Sequence, residues 1–320
     1  MALNKRKIGL STLEITPLIF GGNVFAWTLN EAESFAILDS FVDAGFDAID
    51  TANNYPHWVE GRKGGESESI IGNWIKARGN RDKIVIMTKV GGRFSYAEKH
   101  NIQRSHIMEQ VEHSLRRLQT DYIDLYQTHY DKEETAVEEI LRAYEELIKQ
   151  GKVRYIGASN LTPERLVESL DVSAEKNLPA YISLQPEYNL YDRAKYESLY
   201  KNVVSEKQLG VIPYYSLASG FLSGKYRSAE DFSKFARGEG IFKKYWNERG
   251  QRIVKALEKV SAAHQTTPSG IALAWLLAQD TITAPIASAT KDKHIQSFVD
   301  AVTLQLDDET LATLNEASAY

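Results

Sequence analysis

The stretch that decides the fold is 47–55, Asp-Ala-Ile-Asp-Thr-Ala-Asn-Asn-Tyr, in which a short apolar run ends at Asp50 and a polar turn leads to Tyr55. Runs of the same kind recur along the chain, and amphipathic stretches separate them. Such runs, rich in β-branched and aromatic residues, are typical of parallel strands that are buried on both faces. We predict eight strands, at 18–21, 47–50, 84–88, 122–128, 155–159, 182–185, 211–214 and 283–286.

The spacing of these strands predicts the fold class. Eight strand–helix units of about 40 residues each fill the 320 residues of the chain, which favours a closed barrel over an open sheet with a second domain. Residues 7–15 alternate in polarity and predict an N-terminal β-hairpin. We therefore predict an α/β protein, a (β/α)8 TIM barrel with an N-terminal hairpin, as a single domain over 1–320.

The amphipathic stretches carry signals for helix starts. Asn30 is followed three residues later by Glu33, and Thr135 is followed three residues later by Glu138. This spacing is that of a capping box, in which the two side chains bond to each other's backbone amides. We therefore predict that one helix begins after Asn30 and another after Thr135.

Composition narrows the class of protein. With 43% hydrophobic and 25% charged residues, the chain resembles soluble globular proteins. A net charge of −5 argues against nucleic acid as a partner, and no apolar run approaches the roughly 20 residues needed for membrane insertion. The chain has no cysteine, and no apolar signal segment follows its basic N-terminus. These features predict a cytoplasmic protein without a metal site, and they leave its oligomeric state open.

Ionisable side chains end three consecutive predicted strands. Asp50, Lys89 and His129 are 39 and 40 residues apart, which is one barrel unit each time. Side chains at the C-terminal ends of barrel strands point into the mouth where TIM barrels carry their active sites. We therefore expect the three side chains to stand level at this mouth, with Tyr55 above them on the first loop.

These residue types suit the reduction of a carbonyl group. Asp50 supplies the counter-charge that a buried Lys89 needs. The positive charge of Lys89 should lower the pKa of Tyr55 below its usual value of about 10, which would favour proton donation to a carbonyl oxygen. His129 is placed to polarise the same oxygen. Lys89 would also suit a lyase that forms a Schiff base, and this alternative stays open here.

The same residues belong to a set of motifs through which the whole chain resembles the aldo-keto reductase family. The motifs are Asp50-Thr-Ala-x-x-Tyr55, Thr88-Lys89, Ser114-Leu-x-x-Leu118, Asp121-Tyr-Ile-Asp124-Leu125, His129, Gly157-Ala-Ser-Asn160 and Gln185-Pro-Glu-Tyr-Asn189. The resemblance implies an oxidoreductase in which a nicotinamide dinucleotide reduces a small aldehyde or ketone to an alcohol. It also implies a catalytic tetrad, formed by Asp50, Tyr55, Lys89 and His129.

Within the family, the chain looks like the bacterial branch that also includes the potassium-channel β-subunits. That likeness leaves a second class of function open, a nucleotide-loaded sensor or interaction subunit. The complete tetrad argues against lost chemistry but does not argue against such a partner.

The resemblance also implies a site for NADP(H). Its nicotinamide contacts fall on Ser159, Asn160 and Gln185, and the ring that stacks on the nicotinamide is Tyr215. The loop that is expected to approach the pyrophosphate contains Ser216, Leu217, Ser219, Gly220, Gly224 and Lys225. The loop around the adenosine 2′-phosphate contains Ala287, Ser288, Ala289, Thr290, Lys291 and His294.

This last loop departs from the family pattern. Ser288 stands where glycine is usual, Thr290 where arginine is common, and His294 where glutamine is common. Lys291 can still meet a phosphate, but it lacks the bidentate fork of arginine. We therefore expect NADP(H) as the cofactor and keep NAD(H) as the alternative.

Aromatic residues and two long loops are candidates for substrate contacts. Trp27 and Trp58 could line an aromatic pocket, although Trp58 fits packing at the rim equally well. Residues 56–65 form a longer segment than the family's usual turn and are expected to carry the substrate preference. Residues 225–247 are polar, basic and aromatic together and are long enough for a mobile lid. Three histidines are expected on the surface: His100, His106 and His113.

Overall fold

A closed parallel sheet forms the centre of the computed structural model, which describes residues 3–234 and 238–320. In chain order the strands are β1 (Arg6–Lys7), β2 (Glu14–Ile15), β3 (Ile19–Gly21), β4 (Ala48–Asp50), β5 (Val85–Val90), β6 (Ile123–Thr128), β7 (Val153–Ser159), β8 (Tyr181–Gln185), β9 (Gly210–Val211) and β10 (Ile286–Ala287). From β3 to β9 each strand pairs with the next, and β10 pairs with β3. The amide of Ile286 donates to the carbonyl of Pro213 over 2.9 Å and closes the sheet between β9 and β10. The predicted (β/α)8 TIM barrel is confirmed.

Helices cover the outside of the barrel. In chain order they are α1 (Glu31–Asp43), α2 (Glu66–Arg78), α3 (Arg104–Leu118), α4 (Val137–Lys149), α5 (Pro163–Lys176), α6 (Lys201–Glu206), α7 (Gly238–Tyr245), α8 (Glu248–Ala263), α9 (Pro268–Leu277), α10 (Asp292–Thr303) and α11 (Asp308–Ser318). Among the described residues, none of the helices combines the length and the apolar character that crossing a bilayer requires.

One of the two predicted capping boxes is present. The Glu33 amide donates to Asn30 Oδ1 and the Asn30 amide donates to Glu33 Oε2, each over 2.9 Å. The capping box predicted at Thr135 is wrong, because α4 begins after Ala136 and no side chain caps it. Thr135 is buried, and its carbonyl accepts a hydrogen bond from the guanidinium of Arg165. Thr135 therefore contacts the next helix through its carbonyl instead of capping α4 with its side chain.

The first six predicted strands match the observed ones to within two residues at each end. The last two are shorter than predicted, since β9 ends at Val211 and β10 begins at Ile286. Pro213 and Pro285 lie in the missing parts, and proline has no N–H for the ladder. The barrel wall nevertheless continues there, because the amide of Tyr214 still donates to a neighbouring carbonyl over 2.9 Å.

The N-terminal hairpin, which is also confirmed, closes the end of the barrel opposite the mouth. Strand β1 pairs with β2 in antiparallel orientation, with Arg6 opposite Ile15. Gly9 has a φ of +57°, and a Cβ there would lie 2.4 Å from the carbonyl oxygen of Ile182, so the close approach requires glycine. Above the hairpin an inner cluster fills the barrel: Ile8, Leu13, Ile15, Ile19, Ala48, Met87, Leu125, Ile212, Ala284 and Ile286. A larger outer cluster packs the helices onto the strands.

Candidate active site

A buried ion pair lies at the base of the barrel mouth. Lys89 is fully buried, and its Nζ donates to Asp50 Oδ2 over 2.5 Å and to the Thr51 carbonyl over 2.7 Å. The other carboxylate oxygen, Asp50 Oδ1, accepts from Gln127 Nε2 at 2.9 Å and from Gln185 Nε2 at 3.0 Å. Both oxygens of the carboxylate are therefore satisfied, and the Lys89 charge is compensated where water is excluded.

The three ionisable strand-end residues do not stand level. Asp50 pairs in register with Met87, and Lys89 pairs with Gln127. Lys89 lies two positions beyond Met87, the partner of Asp50. His129 lies two positions beyond Gln127, the partner of Lys89. The expectation of equal height is wrong because a closed barrel requires staggered strands. The three side chains instead rise from Asp50 towards the mouth.

Tyr55 lies above this ion pair. Its ring centre is 5.0 Å from Lys89 Nζ, and its side chain is half-buried. The loop that follows turns back onto it, because the amides of Gly65 and Ser67 both donate to the Tyr55 carbonyl, over 3.0 and 3.2 Å. This loop is the segment 56–65, and it fixes the position of the phenol.

The phenol of Tyr55 titrates in the opposite direction from our expectation. Burial raises its pKa well above the usual value, and the charge of Asp50 raises it further. The predicted lowering by Lys89 is wrong, because the ammonium is already paired with a carboxylate. Tyr55 is therefore a neutral phenol at physiological pH.

His129 forms the adjoining wall of the mouth. Its ring centre lies 5.7 Å from that of Tyr55, and the side chain is buried. Burial lowers the pKa of His129 well below its usual value, and the charge of Lys89 lowers it further. Its Nδ1 has no hydrogen-bond partner among the described residues. The ring is thus a neutral imidazole, and its position is next to the phenol.

The residues predicted to hold the nicotinamide group lie together beside His129. Ser159 Oγ donates to the Gln185 carbonyl over 3.0 Å. Asn160 Nδ2 lies 3.0 Å from the His129 carbonyl, to which it donates, and 3.1 Å from Ser159 Oγ. The Gln185 amide is bound to Asp50, as described above. Asn160 is exposed and therefore stands at the open side of the network, whereas Ser159 and Gln185 are buried.

Tyr215 presents an aromatic face at the mouth. Tyr215 is 46% exposed. Its backbone φ is +53°, and its carbonyl accepts from Asn189 Nδ2 over 3.0 Å. A strained residue with an anchored backbone and an exposed ring is suited to stacking against a planar ligand.

The loop after β9 is compact and carries small residues, with Lys225 at its end. Ser216 is buried and its hydroxyl donates to a carbonyl of its own turn over 3.1 Å, while Leu217 packs on the outer cluster. Ser219 and Gly220 have φ values of +57° and +94°. A Cβ on Gly220 would lie 3.3 Å from Lys225 Nζ, so the ammonium stands directly over this turn.

The end of the same loop and the loop after β10 are also compact. Gly224 has a φ of +72° and ends the turn that carries Lys225. Ala287 and Ala289 are buried, whereas Ser288 is half-buried and its Oγ donates to the Gly21 carbonyl over 2.7 Å. The side chain of Ser288 is therefore turned towards β3.

Positive charge gathers around His294. Its Nδ1 accepts from the Thr290 amide over 3.2 Å. Burial lowers the pKa of His294, and the charges of Lys293, Lys291 and Lys225 lower it further, in that order of size. These ammonium groups come from two loops that are more than 60 residues apart in sequence, yet they act on one imidazole. The loops after β9 and β10 thus form one basic region.

Comparison with known families identifies the chain. The model of the aldo/keto reductase family matches residues 17–319. The chain belongs to the aldo-keto reductase family. Membership implies NAD(P)H-dependent oxidoreduction of carbonyl compounds.

Curated relatives span nearly the whole chain. The uncharacterized oxidoreductase YrpG of Bacillus subtilis is 32% identical over 318 residues, which cover 97% of this chain and 94% of that protein. Norsolorinic acid reductase of Aspergillus flavus is 30% identical, with 96% of this chain and 79% of that protein covered. Aldo-keto reductase yakc of Schizosaccharomyces pombe, whose name carries NADP(+), is 29% identical, with 99% and 92% covered.

The tryptophans predicted to contact substrate do lie at the mouth of this reductase. The rings of Trp27 and Trp58 meet edge to face with their centres 5.6 Å apart, and the ring of Trp58 is 5.2 Å from that of Tyr55. Both side chains are half-buried. Their role in binding substrate stays a prediction.

The segment predicted as a lid, 225–247, contains a short 3-10 helix (Ala229–Lys234) and helix α7. Its residues 235–237 lie outside the described part of the chain. The rings of Tyr226 and Phe232 stack with centres 4.2 Å apart, and Lys244 Nζ lies 2.7 Å from Glu187 Oε1. The segment is thus attached to the barrel beside Tyr215, and its movement stays a prediction.

Two residues of the site were missed in the sequence. Gln127 binds Asp50 directly, and His57 packs its ring against Trp58 with centres 5.4 Å apart. Gln127 lies two positions before His129, so the alternation of side chains along a strand could have identified it. His100 is half-buried rather than exposed, and its ring stacks on Tyr130 at 4.1 Å.

Proposed function

We propose that this protein reduces an aldehyde or a ketone to an alcohol with NADPH, and that Tyr55 donates the proton. The observation that supports it most is the contact between a neutral phenol and a neutral imidazole above the Asp50–Lys89 pair. The nicotinamide supplies the hydride that adds to the carbonyl carbon. The chain must then neutralise the charge that develops on the oxygen, and its groups at the mouth are suited to that task.

Tyr55 is the best proton donor among the residues at the mouth. His129 has a lowered pKa, so it is a neutral imidazole that carries no readily released proton at physiological pH. Lys89 is buried beneath the Tyr55 ring, with two of its N–H groups bound to Asp50 and Thr51. The phenol has a raised pKa, but an alkoxide is a stronger base than a phenolate and can still take its proton. His129 then serves as a hydrogen-bond donor that orients and polarises the carbonyl.

The chain also has the groups that a dinucleotide requires. Ser159 and Asn160 offer polar groups beside His129, and Tyr215 offers an exposed ring. The basic region around His294 offers ammonium groups for phosphate. Lys291 belongs to it and is exposed at the start of α10, which supports NADPH over NADH. We propose that the catalytic residues and the cofactor-binding residues belong to one domain.

The same geometry disfavours the lyase. A Schiff base requires an unprotonated amine that can reach the substrate. Lys89 has no exposed surface and donates to a carboxylate at 2.5 Å. A sensor that catalyses no reaction would not need a neutral phenol above a buried ion pair. The arrangement of Tyr55 over Asp50 and Lys89 therefore supports an enzyme.

Replacement of Tyr55 by phenylalanine tests the proposal. Tyr55→Phe should lower kcat for NADPH-dependent aldehyde reduction by about 10²- to 10⁴-fold, because it removes only the acid. The dissociation constant of NADPH, measured by fluorescence, should change little. Tyr130→Phe is the matched control, since it removes a neighbouring phenol and should retain activity within a few-fold. Near-normal kcat in Tyr55→Phe, with the chemical step rate-limiting, would exclude Tyr55 as the acid.

A further inference from the structure

Arg93 occupies a fixed place on the rim of the candidate active site. It lies three residues beyond the end of β5 at Val90. Its carbonyl accepts from Asn54 Nδ2 over 2.8 Å, and its amide donates to His100 Nδ1 over 3.2 Å. The preceding residue, Gly92, packs against His129, since a Cβ on Gly92 would lie 2.9 Å from His129 Nδ1. The backbone of Arg93 is thus held by the loop after β4 and by the later part of its own loop.

The guanidinium of Arg93 has no oxygen partner among the described residues, although the side chain is half-buried. It lies over the ring of Tyr96, 4.8 Å from the ring centre. The other half-buried arginines of the described chain all donate to at least one protein oxygen: Arg6, Arg81, Arg117, Arg165, Arg193 and Arg249. Arg93 therefore keeps its N–H donors for solvent or a ligand.

Arg93 supplies the positive charge that acts on both imidazoles at this part of the rim. Burial lowers the pKa values of His57 and His100, and the charge of Arg93 lowers both further, so neither imidazole adds positive charge near neutral pH. Glu98 lies on the same loop, and its carboxylate accepts from the Phe94 amide over 3.2 Å. Glu98 is exposed and is not within ion-pair distance of Arg93 in the described chain.

A row of aromatic contacts connects Arg93 with Tyr55. The ring of Tyr96 beneath Arg93 is 5.8 Å from the ring of His57. His57 contacts Trp58 at 5.4 Å, and Trp58 contacts Tyr55 at 5.2 Å. A substrate whose carbonyl meets the Tyr55 phenol would therefore extend along aromatic rings towards a guanidinium.

We propose that Arg93 binds a carboxylate on the substrate, so that the preferred substrates are carbonyl compounds with an aromatic or apolar body and an anionic far end. The planar guanidinium fork matches a carboxylate and can bind it through two parallel hydrogen bonds. This inference rests on the proposed function, because it names the substrate class for that same site.

A matched pair of aldehydes tests the inference. The anionic member is 4-carboxybenzaldehyde, and 4-formylbenzamide is its uncharged counterpart of similar shape. Arg93→Gln should lower kcat/KM for the carboxylate about tenfold or more, since a charge-assisted contact is lost, and should leave the amide within about twofold. Arg93→Lys should recover part of the loss, because it restores the charge without the fork. All rates are measured at one salt concentration, since exposed ion contacts are screened.

Lys99→Gln is the matched control, because it removes one positive charge from the same loop at an exposed position. It should leave the preference between the two aldehydes unchanged. An equal loss in Lys99→Gln and Arg93→Gln would overturn the inference in favour of a general field effect. An equal loss for both aldehydes in Arg93→Gln would also overturn it, because Arg93 would then only support the site.

A binding experiment separates this inference from the proposed function. If the wild-type protein reduces neither aldehyde, the proposed reduction fails, and calorimetric titration with 4-(hydroxymethyl)benzoate decides the rest. Benzoate binding that is weakened about tenfold in Arg93→Gln and unchanged in Lys99→Gln supports the anion site. Binding of the benzoate that is independent of Arg93 overturns it.

Discussion

Lys89 is positively charged and completely buried. Its ion pair with Asp50 determines the electrostatic environment of the Tyr55 phenol. Because Asp50 compensates the ammonium, Tyr55 lies beside a neutral pair, and burial raises the pKa of its phenol. The raised pKa of Tyr55 determines how the rate of reduction depends on pH. An acid with a raised pKa stays protonated through neutral and mildly alkaline pH, so reduction should decline only as the pH rises through that high value.

Replacement of Lys89 by methionine should shift this alkaline decline. Lys89→Met removes the only cation bound to Asp50 in the described chain, so the phenol is left beside an uncompensated carboxylate and its pKa rises further. We expect the fall of kcat/KM to move to higher pH or beyond the accessible range, together with a lower maximum. The measurement is the pH profile of kcat/KM for aldehyde reduction with saturating NADPH.

The same variant needs a control for stability. A buried carboxylate without its partner destabilises a protein by roughly 3–5 kcal/mol, whereas removal of both charges is often nearly neutral. The double variant Asp50→Asn with Lys89→Met should therefore recover most of the free energy of unfolding in urea while remaining impaired in reduction. A decline of kcat/KM at lower pH in Lys89→Met would contradict our account of Tyr55.

The identities of these residues were readable from the sequence, but their arrangement was not. The 39- and 40-residue spacings indicated which side chains meet at the mouth. They contained no information on register, so Gln127 was missed although it pairs with Lys89. The direction of the Tyr55 pKa shift was also wrong, because burial and charge compensation depend on neighbours from several strands.

At the scale of elements, local sequence signals predicted a helix start correctly where it depends on residues of one turn. They failed where contacts with other elements are involved. The Asn30 box involves only residues of one turn, and it is present. The Thr135 box is absent, and Thr135 instead contacts a guanidinium from α5 through its carbonyl. The shortened strands at Pro213 and Pro285 could have been predicted, since proline in a barrel strand removes a ladder donor.

The loop between β10 and α10 carries a prediction on cofactor choice. Lys291 is exposed at the N-terminal end of α10, within the basic region around His294. Lys291→Ala should weaken NADPH binding more than tenfold, since a charge-assisted contact contributes roughly 1.5–3 kcal/mol, and should change NADH binding little. Thr290→Arg should strengthen NADPH binding by adding a bidentate fork. Dissociation constants for both cofactors at fixed salt are the measurement.

Lys293→Ala is the comparison variant for this loop, because Lys293 is a second exposed lysine that acts on the same imidazole. A specific contact predicts a smaller effect in Lys293→Ala than in Lys291→Ala. Equal weakening of NADPH and NADH in Lys291→Ala would show that this lysine does not distinguish the 2′-phosphate.

At the scale of the whole molecule, the hairpin is a separate support for the barrel. Ile15 is fully buried in the inner cluster, at the end opposite the mouth. Ile15→Ala should lower the free energy of unfolding by about 2–5 kcal/mol, because it leaves a cavity in a packed interior. The kcat of the protein that remains folded should stay close to that of the wild type. Urea unfolding and reduction rates, both at 25 °C, give the two quantities.

Leu10 provides the matched control on the same hairpin, since it is 75% exposed. Leu10→Ala should change the free energy of unfolding by no more than about 0.5 kcal/mol. A large loss of kcat in Ile15→Ala under folding conditions would mean that the hairpin also influences the mouth, contrary to our expectation.

The strands of the barrel form a wall between the inner and the outer cluster, which have no residue in common. Free energies of substitution add when sites share no partner and lie well apart. Directed evolution of this reductase can therefore treat helix-facing and interior positions as independent libraries where they lie on distant parts of the barrel. Positions that adjoin on one strand, such as Ile19 and Phe20, share a backbone and must be optimised together, as must changes within one compartment.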